Sequence, residues 1–366
     1  MAAILIAVSF FVIIVAVAVS AGFRESIRTG VAQMAGDVTI QPLASSGEEV
    51  PMSRHLPSEE SLKALPGVVS VEPVVLRAGI VKSGDLVHGV LVKGTERPDS
   101  SLTVSIPGRL ARITGLGVGD PLVVYFVGEK VRVRRFRIAS VHSDILEMDD
   151  NLLVYANLQD LQRVNNWSSD QVSAVQLRLK DSSPDRIRAV AHAAGNILFS
   201  SGAPEEEGLY VTSSPQTYPQ VFDWLDLLDF NVVIVLLLMI VVAGFNMISG
   251  LLIMVLRNIS LVGTLKTLGM TDSAIGRVFL RSGAVAVFKG MLAGNALALL
   301  FCLVQGTTHL IPLDPANYYV SWVPVKISLP GILLADVAAF AGILLLVWIP
   351  TRVISGIDPA LTVKAD

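Results

Sequence analysis

The sequence predicts a membrane protein with four transmembrane α-helices and a large α+β extracytoplasmic domain inserted between helices 1 and 2. Three observations support this fold class. First, 52% of the 366 residues are apolar and 16% are charged, against about 25% charged in ordinary soluble proteins. Second, the apolar residues are concentrated in four long runs. Third, residues 24–228 hold 20 Lys and Arg and 25 Asp and Glu, so the deficit of charge belongs to the rest of the chain.

Each of the four apolar runs is long enough to cross a hydrocarbon core about 30 Å thick. They cover Met1–Gly22, Asn231–Leu256, Gly283–Val304 and Leu329–Ile349. Helices are expected, because backbone amides in lipid must be paired within their own segment. The predicted boundaries are residues 1–23, 229–256, 282–304 and 329–350 for the four helices, 24–228 for the inserted domain with its stalk, 257–281 for a cytoplasmic segment, 305–328 for an outer loop and 351–366 for a cytoplasmic tail.

The Lys and Arg residues that flank the helices predict a cytoplasmic N-terminus. With that orientation, the cytoplasmic side holds six of them and the outer side holds three, and the inner excess is the expected one. The inner residues are Arg257, Lys266, Arg277, Arg281, Arg352 and Lys364, and the outer ones are Arg24, Arg28 and Lys326. The alternative is that residues 1–21 are a cleaved signal peptide, since Ala16–Ala18 and Val19–Ala21 resemble cleavage sites. The absence of a basic start argues against this alternative.

The inserted domain shows both strand and helix patterns. Val68–Leu76 and Gly79–Val92 alternate as strands do, whereas Ser58–Leu65 and Pro184–Ala193 have helical spacing and N-terminal cap residues. The glycines at 115, 117 and 119 and Asp120 predict a tight turn into a strand over Leu122–Val127. Residues 128–130 then predict a hairpin to a strand over Val131–Val141.

The second strand of this hairpin is basic, with five Lys and Arg in Lys130–Ile138. Its alternation predicts a bulge near Arg134 and Arg135, because Phe136 and Ile138 otherwise share a face with Arg132 and Arg134. Two interpretations remain open for the basic face. It is either a docking surface for an anionic partner or the solvated face of a half-buried strand.

Several classes of chemistry are not supported by the sequence. The single cysteine, Cys302, and five scattered histidines provide no zinc motif, and the absence of a Gly-Lys dipeptide excludes a Walker phosphate loop. We therefore expect no enzymatic activity and no cofactor bound by this chain. The formal net charge of −3 predicts no nucleic acid partner, since such proteins normally show a basic excess. Asp149, Asp150 and the run Glu205–Glu207 are interpreted either as cation or acid-base sites or, with more support, as solvated loop carboxylates.

Residues 256–281 carry the most specific motif. The pattern predicts a short helix that stops at Gly269, a cap at Thr271 or Asp272, and a second amphipathic helix that runs into the third membrane helix. This segment resembles the cytoplasmic coupling segment of the FtsX/MacB-type ABC transporter permeases. The matching residues are Val262, Gly263, Leu265, Lys266, Leu268 and Gly269, while Ser260 stands where the family often has Glu.

The resemblance extends over nearly the whole chain. Gly22–Arg24, at the expected end of the first helix, is similar to a family turn, and Val118–Asp120 resembles part of a MacB-like periplasmic core domain. Gln220–Leu225, Pro350 and Ile357–Ala360 also fit the family. Because the insert is full-length and no ATPase is fused, the chain is most similar to the lipoprotein-releasing permeases.

This resemblance implies a multi-pass permease of the bacterial inner membrane. The implied partners are separate ATPase subunits that bind ATP-Mg, a second permease copy or a paralogue, membrane lipids, and a periplasmic carrier or lipoprotein cargo. Two alternatives are a regulator of a periplasmic hydrolase that transports nothing, and a permease for efflux of a hydrophobic small molecule.

Mechanical coupling is the mechanism that we expect. Apolar residues at helical spacing, Leu261, Leu265 and Leu268, would seat in a groove of the ATPase, although an amphipathic helix lying on the lipid surface has the same pattern. The second helix is expected to continue outward as a stalk. The stalk residues are Val221, Phe222, Trp224 and Leu225.

Two features inside the predicted membrane helices are also singled out. Gly290 and Gly294 form a G-x-x-x-G face that predicts close helix packing, with or without a role in movement. Lys289 and Asp336 are ionisable groups at membrane depth, where charges are costly. Their separation along the membrane normal argues against a direct pair, and we expect Lys289 to extend to the interface.

Overall fold

The computed structural model describes residues 2–43, 50–83, 86–96, 101–126, 131–142 and 152–354, and it divides into two compact units. The helix unit comprises Met1–Arg24, Trp224–Pro312 and Trp322–Asp366. The sheet unit comprises Glu25–Asp223 and Leu313–Ser321. Asp149, Asp150, residues 128–130 and Ile357–Ala360 lie outside the described residues, so the predictions made for them are not addressed.

The elements follow one another in this order: α1 (Ala2–Ala35), β1 (Val38–Pro42), β2 (Met52–Ser53), α2 (Glu59–Lys63), β3 (Val68–Ser83), β4 (Leu86–Thr95), β5 (Thr103–Pro107), α3 (Gly108–Thr114), β6 (Pro121–Phe126), β7 (Arg132–His142), β8 (Leu152–Asn157), α4 (Leu158–Asn165), β9 (Gln171–Val172), β10 (Ala174–Leu179), α5 (Pro184–Ser201), a 3-10 turn (Pro204–Glu206), β11 (Leu209–Ser213), α6 (Ser214–Thr217), α7 (Pro219–Arg257), α8 (Ile259–Thr267), α9 (Asp272–Thr308), α10 (Pro315–Tyr318) and α11 (Leu329–Ile354).

Four of the described helices are long and apolar enough to cross a membrane, as predicted. These segments are Ala3–Ala35, Pro219–Arg257, Ser273–Thr308 and Leu329–Trp348. The core of the helix unit is formed by apolar side chains from all four, among them Phe10 of α1, Met247 of α7, Val287 of α9 and Ala339 of α11. Ordinary van der Waals packing holds these helices together, because lipid offers no hydrophobic drive for their association.

The first helix is longer than predicted. Gly22–Arg24 does not end it; α1 continues to Ala35, because the apolar positions Phe23, Ile27 and Val31 repeat at helical spacing and are all buried. Gly22 has a packing role instead. A Cβ atom at this position would lie 2.3 Å from the backbone oxygen of Pro324, so only glycine permits this approach.

The sheet unit contains a nine-stranded sheet in the order β11-β1-β10-β3-β4-β8-β5-β7-β6, and β6 also pairs with β3. The last six strands therefore form a closed ring. The long strand β3 makes this possible because its first half pairs with β10 and its second half pairs with both β4 and β6. The core beneath the sheet is apolar and continuous, which gives the predicted α+β architecture.

The predicted strands Val68–Leu76 and Gly79–Val92 have wrong boundaries. The chain forms one strand over Val68–Ser83 and a second over Leu86–Thr95. Gly79 does not interrupt this strand: it gives room for β6, because a Cβ atom there would lie 2.7 Å from Cγ1 of Val124. Glycine in a strand often marks such a close approach.

The basic strand β7 lies beside β6 as the predicted antiparallel pair, but the bulge predicted near Arg134 and Arg135 is wrong. The pairing of β6 with β7 is regular from Arg132 to Arg137. The irregularity lies after Ile138, in the pairing with β5. Arg132 and Arg134 are half-buried and share their face with Phe136 and Ile138, so the exposed face carries Val133 and Arg135.

The two helices predicted in the insert are present with different lengths. α2 is shorter than Ser58–Leu65 and α5 extends beyond Ala193 to Ser201. The side chain of Ser58 does not cap α2, because its Oγ donates to the carboxylate of Glu206 at 2.6 Å. The solvated interpretation of Glu205–Glu207 is therefore wrong for Glu206, which is buried.

Candidate functional site

The predicted coupling segment is formed by α8, which lies between α7 and α9 in the chain. Its end is defined by Gly269, whose φ of +89° favours glycine. The N–H of Gly269 donates to the oxygen of Lys266 at 3.0 Å, and that of Met270 donates to the oxygen of Leu265 at 3.0 Å. Thr271 then precedes α9 with an extended backbone. Local backbone chemistry accounts for this helix–turn–helix.

The exposed side of α8 carries leucines beside the hydroxyl residues Ser260, Thr264 and Thr267. Leu261 is 57% exposed and Leu268 is 78% exposed, and Leu265 lies between them on the same face, partly buried. Gly263 is buried, whereas Val262 and Lys266 are partly exposed. An amphipathic helix of this kind can place an i, i+4, i+7 row of apolar side chains in the groove of another protein.

The residues predicted as a stalk all lie in the first two turns of α7, which begins at Pro219. Val221, Phe222 and Leu225 are buried. Trp224 packs edge-on against Phe23, with ring centroids 5.7 Å apart. The division between the two units falls immediately before Trp224.

Close to the contact between Phe23 and Trp224 in the sequence, polar side chains also join α1 to α7 within the helix unit. Asp229 accepts a hydrogen bond from Ser20 Oγ at 2.7 Å and forms an ion pair with Arg24. Arg24 was predicted as a topology signal and as part of a family turn, and not as the partner of Asp229, which is 205 positions away. The opposite charges at the adjoining boundaries of the two predicted membrane segments, 1–23 and 229–256, were the available signal.

The two glycines of the G-x-x-x-G face lie against α1. A Cβ atom on Gly290 would lie 2.6 Å from Cγ2 of Ile6. One on Gly294 would lie 2.5 Å from the backbone oxygen of Ala7 and 2.8 Å from Cβ of Phe10. The backbone of α9 therefore approaches α1 more closely than any larger residue allows.

Lys289 and Asp336 do not form a pair. Asp336 is buried, and its Oδ2 accepts a hydrogen bond of 2.6 Å from Nδ2 of Asn295 on α9. Lys289 is exposed on the surface of the helix unit. Asn295 was missed by sequence reasoning, although an amide inside a membrane helix is itself an indication of interhelical hydrogen bonding.

A buried lysine in the sheet unit was also missed. Lys93 on β4 is 2% exposed. Its Nζ donates to the backbone oxygens of Gln33 (2.8 Å) and Met34 (3.1 Å) and to Oε1 of Gln176 (2.5 Å). It therefore satisfies carbonyl groups at the C-terminus of α1, where a positive charge also interacts favourably with the helix dipole.

The chain leaves α1 through another buried group. Asp37 is buried, and burial raises the pKa of its carboxyl group, while the hydrogen bond from the N–H of Leu179 opposes this shift. Gly36, between the last residue of α1 and Asp37, has a φ of +73° and lies against the side chain of Gln176. The end of α1 is thus held in the sheet unit by specific polar contacts. No group of three or more potential metal ligands occurs within the described residues.

Two family models match the chain. The MacB-like periplasmic core domain matches residues 1–197, and the FtsX-like permease C-terminal domain matches residues 233–359. The chain is 26% identical to the lipoprotein-releasing system transmembrane protein LolC of Xylella fastidiosa (strain 9a5c), over 95% of this chain and 90% of the relative. It is 24% identical to the corresponding LolE protein of Haemophilus influenzae, over 97% and 91%.

Among solved structures, the periplasmic region of MacB from Actinobacillus actinomycetemcomitans is similar, with 13% identity and a TM-score of 0.31, over 51% of this chain and 92% of that one. The assignment of the chain to a family rests on the two domain models. The first of them alone covers more than half of the chain. The resemblance noted in the coupling segment is confirmed at the level of the family. This multi-pass membrane protein belongs to the FtsX/MacB-type family of ABC transporter permeases, with a MacB-like periplasmic core domain and an FtsX-like C-terminal domain.

Proposed function

We propose that this permease subunit couples ATP hydrolysis by a separate ATPase to movements of the sheet unit, and that these movements release lipoproteins from the inner membrane to a soluble carrier. The observation that carries the proposal is the similarity over nearly the full length to relatives named as lipoprotein-releasing system transmembrane proteins. The exposed leucines of α8, Leu261 and Leu268, support the ATPase-coupling part of it.

The ATPase would act on α8. Leu261, Leu265 and Leu268 would enter a groove in the ATPase subunit, while Lys266 stays at the rim of the contact. ATP-Mg would be bound by the ATPase and not by this chain. Closure of an ATPase pair would then displace a rigid helix whose two ends are connected directly to α7 and α9.

Two helices are suited to carry this displacement outward. α7 has 39 residues and α1 has 34, which correspond to roughly 58 Å and 51 Å at about 1.5 Å per residue. Both lengths exceed the hydrocarbon core of about 30 Å. The proposed orientation places the N-terminus and α8 in the cytoplasm and the sheet unit in the periplasm. A second permease copy or a paralogue would complete the transporter.

Reconstitution tests the proposal. The permease would be copurified with its ATPase and placed in liposomes that contain a fluorescently labelled triacylated lipoprotein, with a periplasmic carrier outside. We expect ATP-dependent transfer of the label to the carrier, and no transfer with an ATPase that cannot hydrolyse ATP. A lipid-linked control lacking the protein part distinguishes lipoprotein release from general lipid extraction.

Three results would contradict the proposal. ATP turnover without any transfer of lipoprotein would favour a regulator of a periplasmic hydrolase. ATP-dependent expulsion of a hydrophobic dye, with no transfer of lipoprotein, would favour an efflux permease. A permease that purifies stably from membranes with no ATPase subunit bound to it would contradict the coupling itself.

A further inference from the structure

A groove of about 770 Å³ lies between α5 and β11 in the sheet unit. The α5 side is formed by His192, Gly195 and Phe199, which recur at i, i+3 and i+7 on one stripe of the helix. Phe199 is 91% exposed, the highest value among the large apolar side chains in the described residues. An aromatic side chain at the rim of a groove is typical of a binding surface.

The other side of the groove is an open strand edge. β11 pairs with β1 and with no other described strand. The N–H of Ser214 donates to the oxygen of Asp37 at 2.9 Å, so the alternation of an antiparallel pair turns the N–H and C=O groups of Leu209 and Val211 away from β1. Such an edge is a template for another extended chain.

Gly195 keeps the groove open. It lies inside α5, and a Cβ atom there would meet nothing within 4 Å, so packing does not require glycine. Glycine in a helix interior is less stable than alanine by about 0.5–1 kcal/mol. The absent side chain therefore costs stability and leaves free space beside Phe199.

The charge of the groove is negative. Its lining includes Glu206 and Glu207 but no Lys or Arg. Glu206 is buried and accepts hydrogen bonds from Ser58, whereas Glu207 and its neighbour Glu205 are exposed. A segment that binds here therefore gains from positive charge close to an apolar side chain.

We propose that this groove docks an extended, basic and apolar segment of a partner protein, which adds as a strand to β11 and places an apolar side chain beside Phe199 and a cationic one beside Glu207. Main-chain hydrogen bonds would give affinity, and the two side-chain contacts would give selectivity. The proposal concerns the sheet unit alone and holds whether or not the chain releases lipoproteins.

Fluorescence anisotropy with the full chain in phosphatidylcholine nanodiscs tests the proposal. The probe is a labelled ten-residue peptide that alternates valine and lysine, compared with a peptide that alternates valine and glutamate and with a lysine peptide whose backbone amides are N-methylated on alternate residues. We expect saturable binding of the first peptide only. Gly195→Trp and Phe199→Ser should each weaken it about tenfold or more, as loss of a central anchor does.

The matched control separates the groove from the stability of the helix. Arg186→Trp places the same indole side chain at an exposed site on α5 outside the groove, and it should bind as the unchanged chain does. Glu207→Lys should shift preference toward the glutamate peptide. All of these variants should unfold at temperatures close to that of the unchanged chain.

Four outcomes would overturn the proposal. Equal binding of the lysine and glutamate peptides would remove the charge argument, and equal binding of the N-methylated peptide would remove strand addition. Unchanged binding by Gly195→Trp would place the contact elsewhere. If Phe199→Cys in a Cys302→Ser background forms efficient disulfide-linked dimers in membranes, the occupant is a second copy of this chain and not a basic partner.

Discussion

Single glycines set the distances between elements of the helix unit. At Gly22, Gly290 and Gly294 the backbone or Cβ of another segment occupies the place of a side chain. The G-x-x-x-G spacing made two of these predictable, because small residues at this spacing are typical of close helix contacts in membranes. Gly22 was not predictable in this role, since its neighbour Pro324 is some 300 positions away in the sequence.

Gly294→Ala tests this contact. The added Cβ atom would approach the backbone oxygen of Ala7, which cannot rotate away, so α9 must move from α1. We expect a loss of about 1–3 kcal/mol, the usual cost of overpacking, measured as a lower thermal unfolding midpoint in detergent. The control is Gly306→Ala on the same helix, where nothing lies within 4 Å. Equal midpoints for both variants would contradict the contact.

Lys93→Met tests the buried lysine. The substitution keeps an unbranched apolar chain but leaves the carbonyl groups of Gln33 and Met34 without their donor, at a cost of about 1–3 kcal/mol. We expect a lower unfolding midpoint and faster proteolysis near the end of α1. Lys63→Met is the control, because Lys63 is exposed and pairs with Glu59 at the surface. If the two variants are equally stable, the lysine does not hold the helix end.

At the scale of elements, the most local patterns were predicted best. The turn at Gly269 and the extended backbone of Thr271 depend on backbone chemistry within a few residues, so the end of α8 and the start of α9 follow from the sequence. Thr271 stands at the predicted cap position but makes no side-chain capping hydrogen bond. The end of α1 and the boundary between β3 and β4 were not predicted correctly from the sequence, because glycines such as Gly22 and Gly79 often end a helix or interrupt a strand. Here each glycine provides room for a distant segment instead, and local propensity yields to tertiary packing.

Leu265→Asp tests α8 as the coupling element. A carboxylate in the middle of the apolar face would have to be desolvated in the ATPase groove, so we expect loss of coupling: ATP hydrolysis would persist while lipoprotein transfer falls about tenfold or more. Membrane insertion and expression should be unchanged. The control is Ser260→Glu, an exposed position where the family often carries an acidic residue, and it should preserve transfer. Normal transfer by Leu265→Asp would refute this role.

At the scale of the whole molecule, the orientation of the chain is the main prediction. In a Cys302→Ser background, single cysteines at Ser200 in α5 and Ser260 in α8 report opposite sides of the membrane. With a cytoplasmic N-terminus, a membrane-impermeant thiol reagent added to spheroplasts should label Ser200→Cys directly and Ser260→Cys only after permeabilisation. The reverse pattern would overturn the orientation and move α8 away from any cytoplasmic ATPase.

The sequence by itself determined that this is a four-helix membrane protein with an α+β insert, and it indicated the permease family. These features depend on the length of apolar runs, on alternation and on a short motif, all of which are local. Only the tertiary structure decided that the six strands β3–β8 close into a ring, that Lys93 holds the end of α1, and that Asp336 pairs with Asn295. These arrangements join residues far apart in the chain, and local preferences of a few tenths of a kcal/mol cannot select among the possible pairings.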